Sequence, residues 1–203
     1  MAEIGLFPLE LVLLPTERVP LHIFEDRYKE LIGECLAHDG EFGLVFADER
    51  GLREIGTLAG IAEVLERFAD GRLNILIEGR ERFRLVELTK GRAFHTAEIE
   101  EVADEDDAPD EADVVRALGQ FAQLREITAS EVDEPDPDIG FLSFQLAARV
   151  DFGAEVKQQL LEERSEPRRI RVVADLLENA VRTLTLELEV QERASQNGRV
   201  SID

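Results

Sequence analysis

The chain has no tryptophan, one tyrosine, one cysteine and, among 203 residues, only 23 lysines and arginines against 45 aspartates and glutamates. Cys35 has no partner for an intrachain disulfide or a thiolate metal cluster, which fits a reducing, cytoplasmic setting. The formal net charge of −22 creates a field that repels phosphate and so disfavours nucleic acid as a partner, leaving room only for a small local basic groove. No apolar run approaches the roughly 18 to 20 residues of a membrane span. The opening stretch MAEIGLFPLELVLLP carries Glu3 and Glu10, lacks a basic start and is broken by Pro8 and Pro15, so it reads as strand and no membrane association is expected.

Catalytic signatures are also missing. There is no Gly-Lys pair for a phosphate-cradling loop, no GxGxxG and no GxSxG. His22, His38 and His95 are isolated, without HxxxH or HExxH spacing, and a hydrogen-bonded structural histidine is the commoner case. Asp104, Asp106, Asp107, Asp110 and Asp113 lack the spacing of a calcium loop. No metal and no cofactor is expected, and paired carboxylates say little where more than one residue in five is acidic.

What the chain does contain is a change of hydrophobic period. Up to about residue 110 it reads mostly as strands: Val12 to Leu14, Leu21 to Phe24, Phe42 to Phe46, Gly56 to Phe68, Leu73 to Glu78, and Phe94 to Val102. Asp70-Gly71 marks a hairpin, and Gly79 breaks or bulges the path. One helix interrupts them over Glu25 to His38, where Tyr28, Leu31, Ile32, Cys35 and Leu36 form a stripe ended by Asp39-Gly40. Beyond Gly79, Arg80, Arg82 and Arg84 alternate with Glu81, Phe83 and Leu85. That places three guanidinium groups on one strand face, a candidate anion site or a wet outer face balanced by the acid excess.

From Glu98 to Asp113 there are ten acids and no base, which reads as a solvated connector. Helical spacing then takes over. Val114, Leu118, Phe121, Leu124 and Ile127 mark one helix, Ile139 to Val150 a buried one, and Val156, Leu160 and Leu161 a short one. Glu131 to Asp138 is a second acidic connector. Ser165 is positioned to cap a last, long helix with Pro167 in its first turn and a stripe at Ile170, Val173, Leu177, Ala180 and Leu184. Thr183 to Val190 alternates with period two, yet the stripe runs into it unbroken and favours helix. The residues from Ala194 on read as a frayed end.

The segment LFPLELVLLPTERVPLHIFEDRYKELI (6 to 32) resembles the opening of the LON substrate-binding domain family. The resemblance continues through EFGLVF, EIGTLAGIAEV and LNILIEGRERFRLVEL, and more weakly through FLSFQLAARVDFGAEVKQQLLEERSEPRRIRVVADLLENA. It departs at Asp26, where relatives carry proline, and at Thr16-Glu17-Arg18, which replaces a Pro-Gly type turn. The resemblance implies an α+β fold: a six-stranded, PUA-like β pseudo-barrel with one embedded helix over residues 1–110, then a C-terminal helical bundle over 111–203. It also implies a non-catalytic module that binds unfolded or degron-bearing polypeptides, without the ATPase and Ser/Lys peptidase modules of a complete Lon protease. RNA binding, known among PUA-like folds, runs against the charge.

Phe24, Glu25, Arg27 and Tyr28, where PLHIFEDRY turns from strand to helix, are the candidate peptide-binding residues. Arg80, Arg82 and Arg84 are the candidate anion-binding residues. The alternative is an adaptor that docks to a proteolytic or other complex through its helical half. An enzyme acting on a small molecule in a barrel cleft has no residue pattern behind it.

Overall fold

The computed structural model describes residues 2–137 and 140–197. Its elements are β1 (Ala2–Leu9), β2 (Arg18–Ile23), α1 (Asp26–His38), β3 (Phe42–Asp48), β4 (Gly51–Leu52), β5 (Ile55–Arg67), β6 (Leu73–Thr89), β7 (His95–Glu101), α2 (Glu111–Thr128), α3 (Leu142–Ala148), α4 (Ala154–Glu162) and α5 (Glu166–Asn197). Strands therefore dominate the first half and helices the second. Among the described residues seven strands are present rather than six, the pair Gly51–Leu52 being too short to leave a periodic signal. Ile139, the first residue of the buried helix read from the sequence, lies outside the described residues, and α3 occupies Leu142–Ala148. The expected frayed end is helical through Asn197, and residues 198–203 lie outside the described residues.

The sheet is mostly antiparallel. β1 pairs with β7, β7 with β6, β6 with β5 and β5 with β3, and β3 then meets β1 in parallel, so the path of pairing returns to its start. β2 lies off that path and pairs with β6 alone. The two segments read on either side of Gly79 are one strand of 17 residues, with Gly79 buried within it. A Cβ at this position would sit 2.1 Å from the carbonyl oxygen of Leu14, so glycine is what lets the segment after β1 cross directly over β6. The crossing is held by the Thr16 amide donating to Gly79 O (2.8 Å) and the Gly79 amide donating to Glu17 O (2.9 Å).

Val12 to Leu14, expected as a strand, belongs to that irregular crossing segment. Its residues are buried because they serve two cores: Val12 and Leu14 pack with the helices, while Leu13 packs under α1. Side chains replace the missing ladder, with the Leu14 amide donating to Glu17 Oε2 (2.9 Å) and the Thr57 hydroxyl donating to Leu13 O (2.6 Å). Glu17 is itself buried and accepts from Lys157 Nζ on α4 at 2.5 Å.

α1 lays Tyr28, Leu31, Ile32 and Cys35 on Ile23, Phe42, Leu73, Ile75 and Ile77. It ends at Asp39, in the left-handed conformation at φ 51, a role that aspartate fills with less strain than most residues. Burial pushes the Cys35 thiol up to about 11. The largest core joins both halves: Val12, Leu14, Phe46 and Ile55 meet Phe121, Phe144, Leu161, Ile170 and Leu177. Thr183 to Val190 is helical, continuing α5. The Ser165 hydroxyl accepts from the Arg168 amide (3.3 Å) as the cap, and donates to Asp107 Oδ2 (2.7 Å).

Asp107 is one of several acids in Glu98–Asp113 that the fold uses, so this run is not a purely solvated connector. Asp104 binds Arg82 of β6 and accepts at 2.9 Å from Nη1 of Arg169 of α5. Both arginines are almost fully buried. Arg82 also donates to the carbonyls of Leu161 (2.8 Å) and Glu163 (2.9 Å), and Arg169 pairs with Glu166 (2.6 Å) and donates to the Ser143 hydroxyl (3.0 Å). The guanidinium carbons of Arg82 and Arg169 lie 5.5 and 4.2 Å from the centre of the Phe144 ring. Burial lowers the pKa of Arg82. Burial also opposes the charge of Arg169, but its bonds to Asp104 and Glu166 outweigh that and raise it.

Removing Asp104 leaves two buried cations side by side, so Asp104→Ala is expected to cost about 3–5 kcal/mol. Urea denaturation checks this, and a loss under about 1 kcal/mol, the size of a surface pair, would show that the cluster is dispensable. The raised Cys35 pKa makes a second outcome measurable. At pH 8 iodoacetamide should alkylate the native thiol roughly 100-fold more slowly than the urea-unfolded chain, whose cysteine has an ordinary pKa of about 8.5. Equal rates would contradict the burial of α1's inner face.

Candidate functional site

The motif PLHIFEDRY spans the end of β2 and the first turn of α1. β2 faces β6 in the register Arg18 with Glu78, Pro20 with Leu76 and His22 with Asn74, and β5 brings Glu66 opposite Asn74 on the far side of β6. Alternation along β2 puts Arg18, Pro20 and His22 on the outer face, while Ile23 points into the core. Phe24 continues that outer row just before the helix. Phe24 is 59% exposed.

Phe24 sits within an aromatic cluster. Its ring stacks 5.9 Å from that of His22, the His22 ring meets Phe68 edge-on at 6.0 Å, and the Arg72 guanidinium lies 5.0 Å from the Phe68 ring centre. His22 Nδ1 and Asn74 Oδ1 are 2.6 Å apart, and Asn74 Nδ2 donates to Glu66 Oε2 at 3.0 Å, so the imidazole is held in place. Phe68 and Arg72 flank the hairpin turn: the Phe68 amide donates to Arg72 O and the Gly71 amide to Phe68 O, both at 3.0 Å, with Gly71 at φ 84.

The other three residues expected at this surface lie differently. Tyr28 is buried, its ring stacked 3.9 Å from that of Phe7, and burial raises its pKa while Arg27 works against the rise. Glu25 flanks α1 and pairs with Arg27 at 2.8 Å, and the Arg27 guanidinium lies 4.6 Å from the Tyr28 ring centre. Phe24 is therefore the one member of the set that offers an aromatic face to solvent. Phe68 and Arg72 were missed from sequence. The Asp70-Gly71 turn was legible, but only the register of β2, β5 and β6 brings its flanks beside His22.

The arginine row does not form one open face. Arg80 is exposed and pairs with Glu41 at 2.6 Å, and Arg84 lies 3.7 Å from Glu100. Arg82 is buried in the clamp with Asp104. As a row, these residues are already matched by acids, which leaves little free positive charge for an added anion.

The strand order, the embedded α1 and the exposed turn can be compared with known proteins. Residues 3–179 match the family described as the ATP-dependent protease La (LON) substrate-binding domain. The chain belongs to that family. Among curated relatives, Lon protease 1 of Hydrogenovibrio crunogenus is 28% identical over 208 residues, covering 94% of this chain and 24% of that protein. Lon protease 1 of Bacillus subtilis is 24% identical over 96% of this chain and 27% of its own length. The chain thus spans about a quarter of the length of these relatives, and the family matched is that of the substrate-binding domain alone.

Two solved structures share the fold. The Lon N-terminal domain protein from Xanthomonas campestris superposes with a TM-score of 0.67 at 23% identity, covering 85% of this chain and 97% of that one. The N-terminal domain of Lon protease from Mycobacterium avium complex gives 0.69 at 23% identity, covering 87% and 98%. The family match over residues 3–179 thus extends the resemblance read in residues 6 to 32 through most of the chain. Among the described residues no helix is long and apolar enough to cross a membrane.

Proposed function

We propose that this chain is a non-catalytic binding module for extended polypeptide, whether unfolded or degron-bearing, in a reducing compartment such as the cytoplasm. In this reading the closed sheet is a PUA-like pseudo-barrel over residues 1–110, and residues 111–203 form a helical bundle. The observation that carries it is Phe24, 59% exposed and stacked on His22 beside Phe68. Rings held by their neighbours bury large apolar area against a client with little entropy to lose. The adjacent strand supports the same reading. β2 pairs on one side only, so an extended client has an edge on which to add backbone hydrogen bonds while its side chains meet the aromatic face. Pro20, within β2, removes one donor from that strand, a device that limits unselective pairing. Glu25 and Arg27 are the charged rim of the surface, and Tyr28 is its support from the core.

Membership of a substrate-binding family agrees with this reading. An adaptor role through the helical half is the second reading, favoured by Leu186, Leu188 and Val190, which are 46–64% exposed on α5.

Phe24→Ala with Phe68→Ala is expected to weaken binding of a reduced, denatured polypeptide by roughly 10-fold or more, the loss of two aromatic contacts of about 1 kcal/mol each, with the thermal transition intact. Fluorescence anisotropy measures it, and an unchanged affinity in the folded double variant would move the site elsewhere. Leu186→Glu with Val190→Glu is the matching test of the adaptor reading. Loss of binding in that variant alone would place the contact on α5.

A further inference from the structure

A cleft of about 340 Å³ is lined by Pro15, Thr16, Glu81, Val102, Asp104 and Phe141, among others. It adjoins a shallower depression of about 570 Å³ over Leu58, Phe83 and Ile99, the two sharing Glu81, Arg82 and Glu101. Together they make a groove with an apolar floor. Two residues of the lining hold positive φ without being glycine, Thr16 at 69 and Phe141 at 52. Such conformations persist only where surrounding structure enforces them, and they concentrate at functional sites. Phe141 also keeps 47% of its surface exposed.

The charges of the groove are unbalanced. Its cations are already matched, Arg80 by Glu41 and Arg82 by Asp104, while Arg169 and Glu166 complete a neutral set behind the floor. Glu81 and Glu101 on the rim are exposed and have no ion-pair partner among the described residues. An apolar floor under two free carboxylates complements an apolar side chain next to a cation, and the chain's net charge of −22 favours the approach of such a ligand.

We propose that this groove is a second polypeptide subsite, seating an aromatic or aliphatic side chain whose neighbour in the extended client is Lys or Arg. The proposal rests on the polypeptide-binding reading and adds a sequence preference to it. Phe141 and Val102 contact the apolar side chain, and Glu81 and Glu101 receive the cation.

The test uses the full chain and fluorescein-labelled peptides carrying a single Phe-Arg, Phe-Glu or Ala-Arg pair in a Gly/Ser background, with denatured polypeptide assayed in parallel. The Phe-Arg peptide is expected to bind roughly 10-fold tighter than Phe-Glu, the scale of two exposed charge contacts. That preference should fall below about 3-fold in Glu81→Gln with Glu101→Gln, both surface changes that leave the core untouched. Ala103→Phe, which adds bulk at the cleft, should weaken Phe-Arg binding. A preference that survives the double glutamine variant overturns the proposal, as does Phe-Arg binding that Ala103→Phe leaves intact. If no peptide binds while denatured polypeptide still does through Phe24, the groove fails and the polypeptide reading stands. If neither binds, both fail.

Discussion

Asp104 bridges two buried guanidinium groups, Arg82 from the sheet and Arg169 from the longest helix. Two like charges cannot share an apolar interior without an anion between them, so the carboxylate determines how the two halves meet. Once Arg82 and Arg169 are neutralised, their planes rest on Phe144, and the carbonyls of Leu161 and Glu163 find donors. The large shared core closes around this cluster. Smaller ties between Lys157 and Glu17, and between the Gln158 amide and Ile55 O, hold the same interface farther out.

The surface chemistry follows from this arrangement. α1 and the crossing segment cap one face of the sheet, which spends Tyr28 in the core and leaves Phe24 at the turn. The clamp uses Arg82 and leaves the exposed Glu81 and Glu101, without an ion-pair partner among the described residues, at the rim of the groove. One strand, β6, supplies both regions: Leu73 to Glu78 backs the aromatic face, and the residues after Gly79 form the groove. The close crossing at Gly79 marks the change between them.

Much of this was legible in the residues. Helical spacing located α1, α2 and α4, and the unbroken stripe from Ile170 correctly outweighed the period-two run Thr183 to Val190, because a helix already packed through Leu177 propagates more easily than a new strand nucleates. Ser165 is the cap its position suggested. The errors share a cause. Val12 to Leu14 looks like a strand because it is apolar, but its alternation reflects two cores on either side rather than a ladder. The acidic run looked solvated because charge patterning cannot show that Asp104 and Asp107 have partners about 60 residues away.

The sequence by itself determined where the helices and most of the strands lie, that the period changes near residue 110, and that residues 6 to 32 carry a family's pattern, since these depend on local spacing of apolar side chains. Tertiary structure alone decided that Arg82 is buried while Arg80 and Arg84 are exposed, that Tyr28 turns inward and Phe24 outward, and that Phe68 joins His22. Those outcomes depend on strand register and on contacts between residues far apart in the chain, where a shift of one position reverses which side chain meets the core.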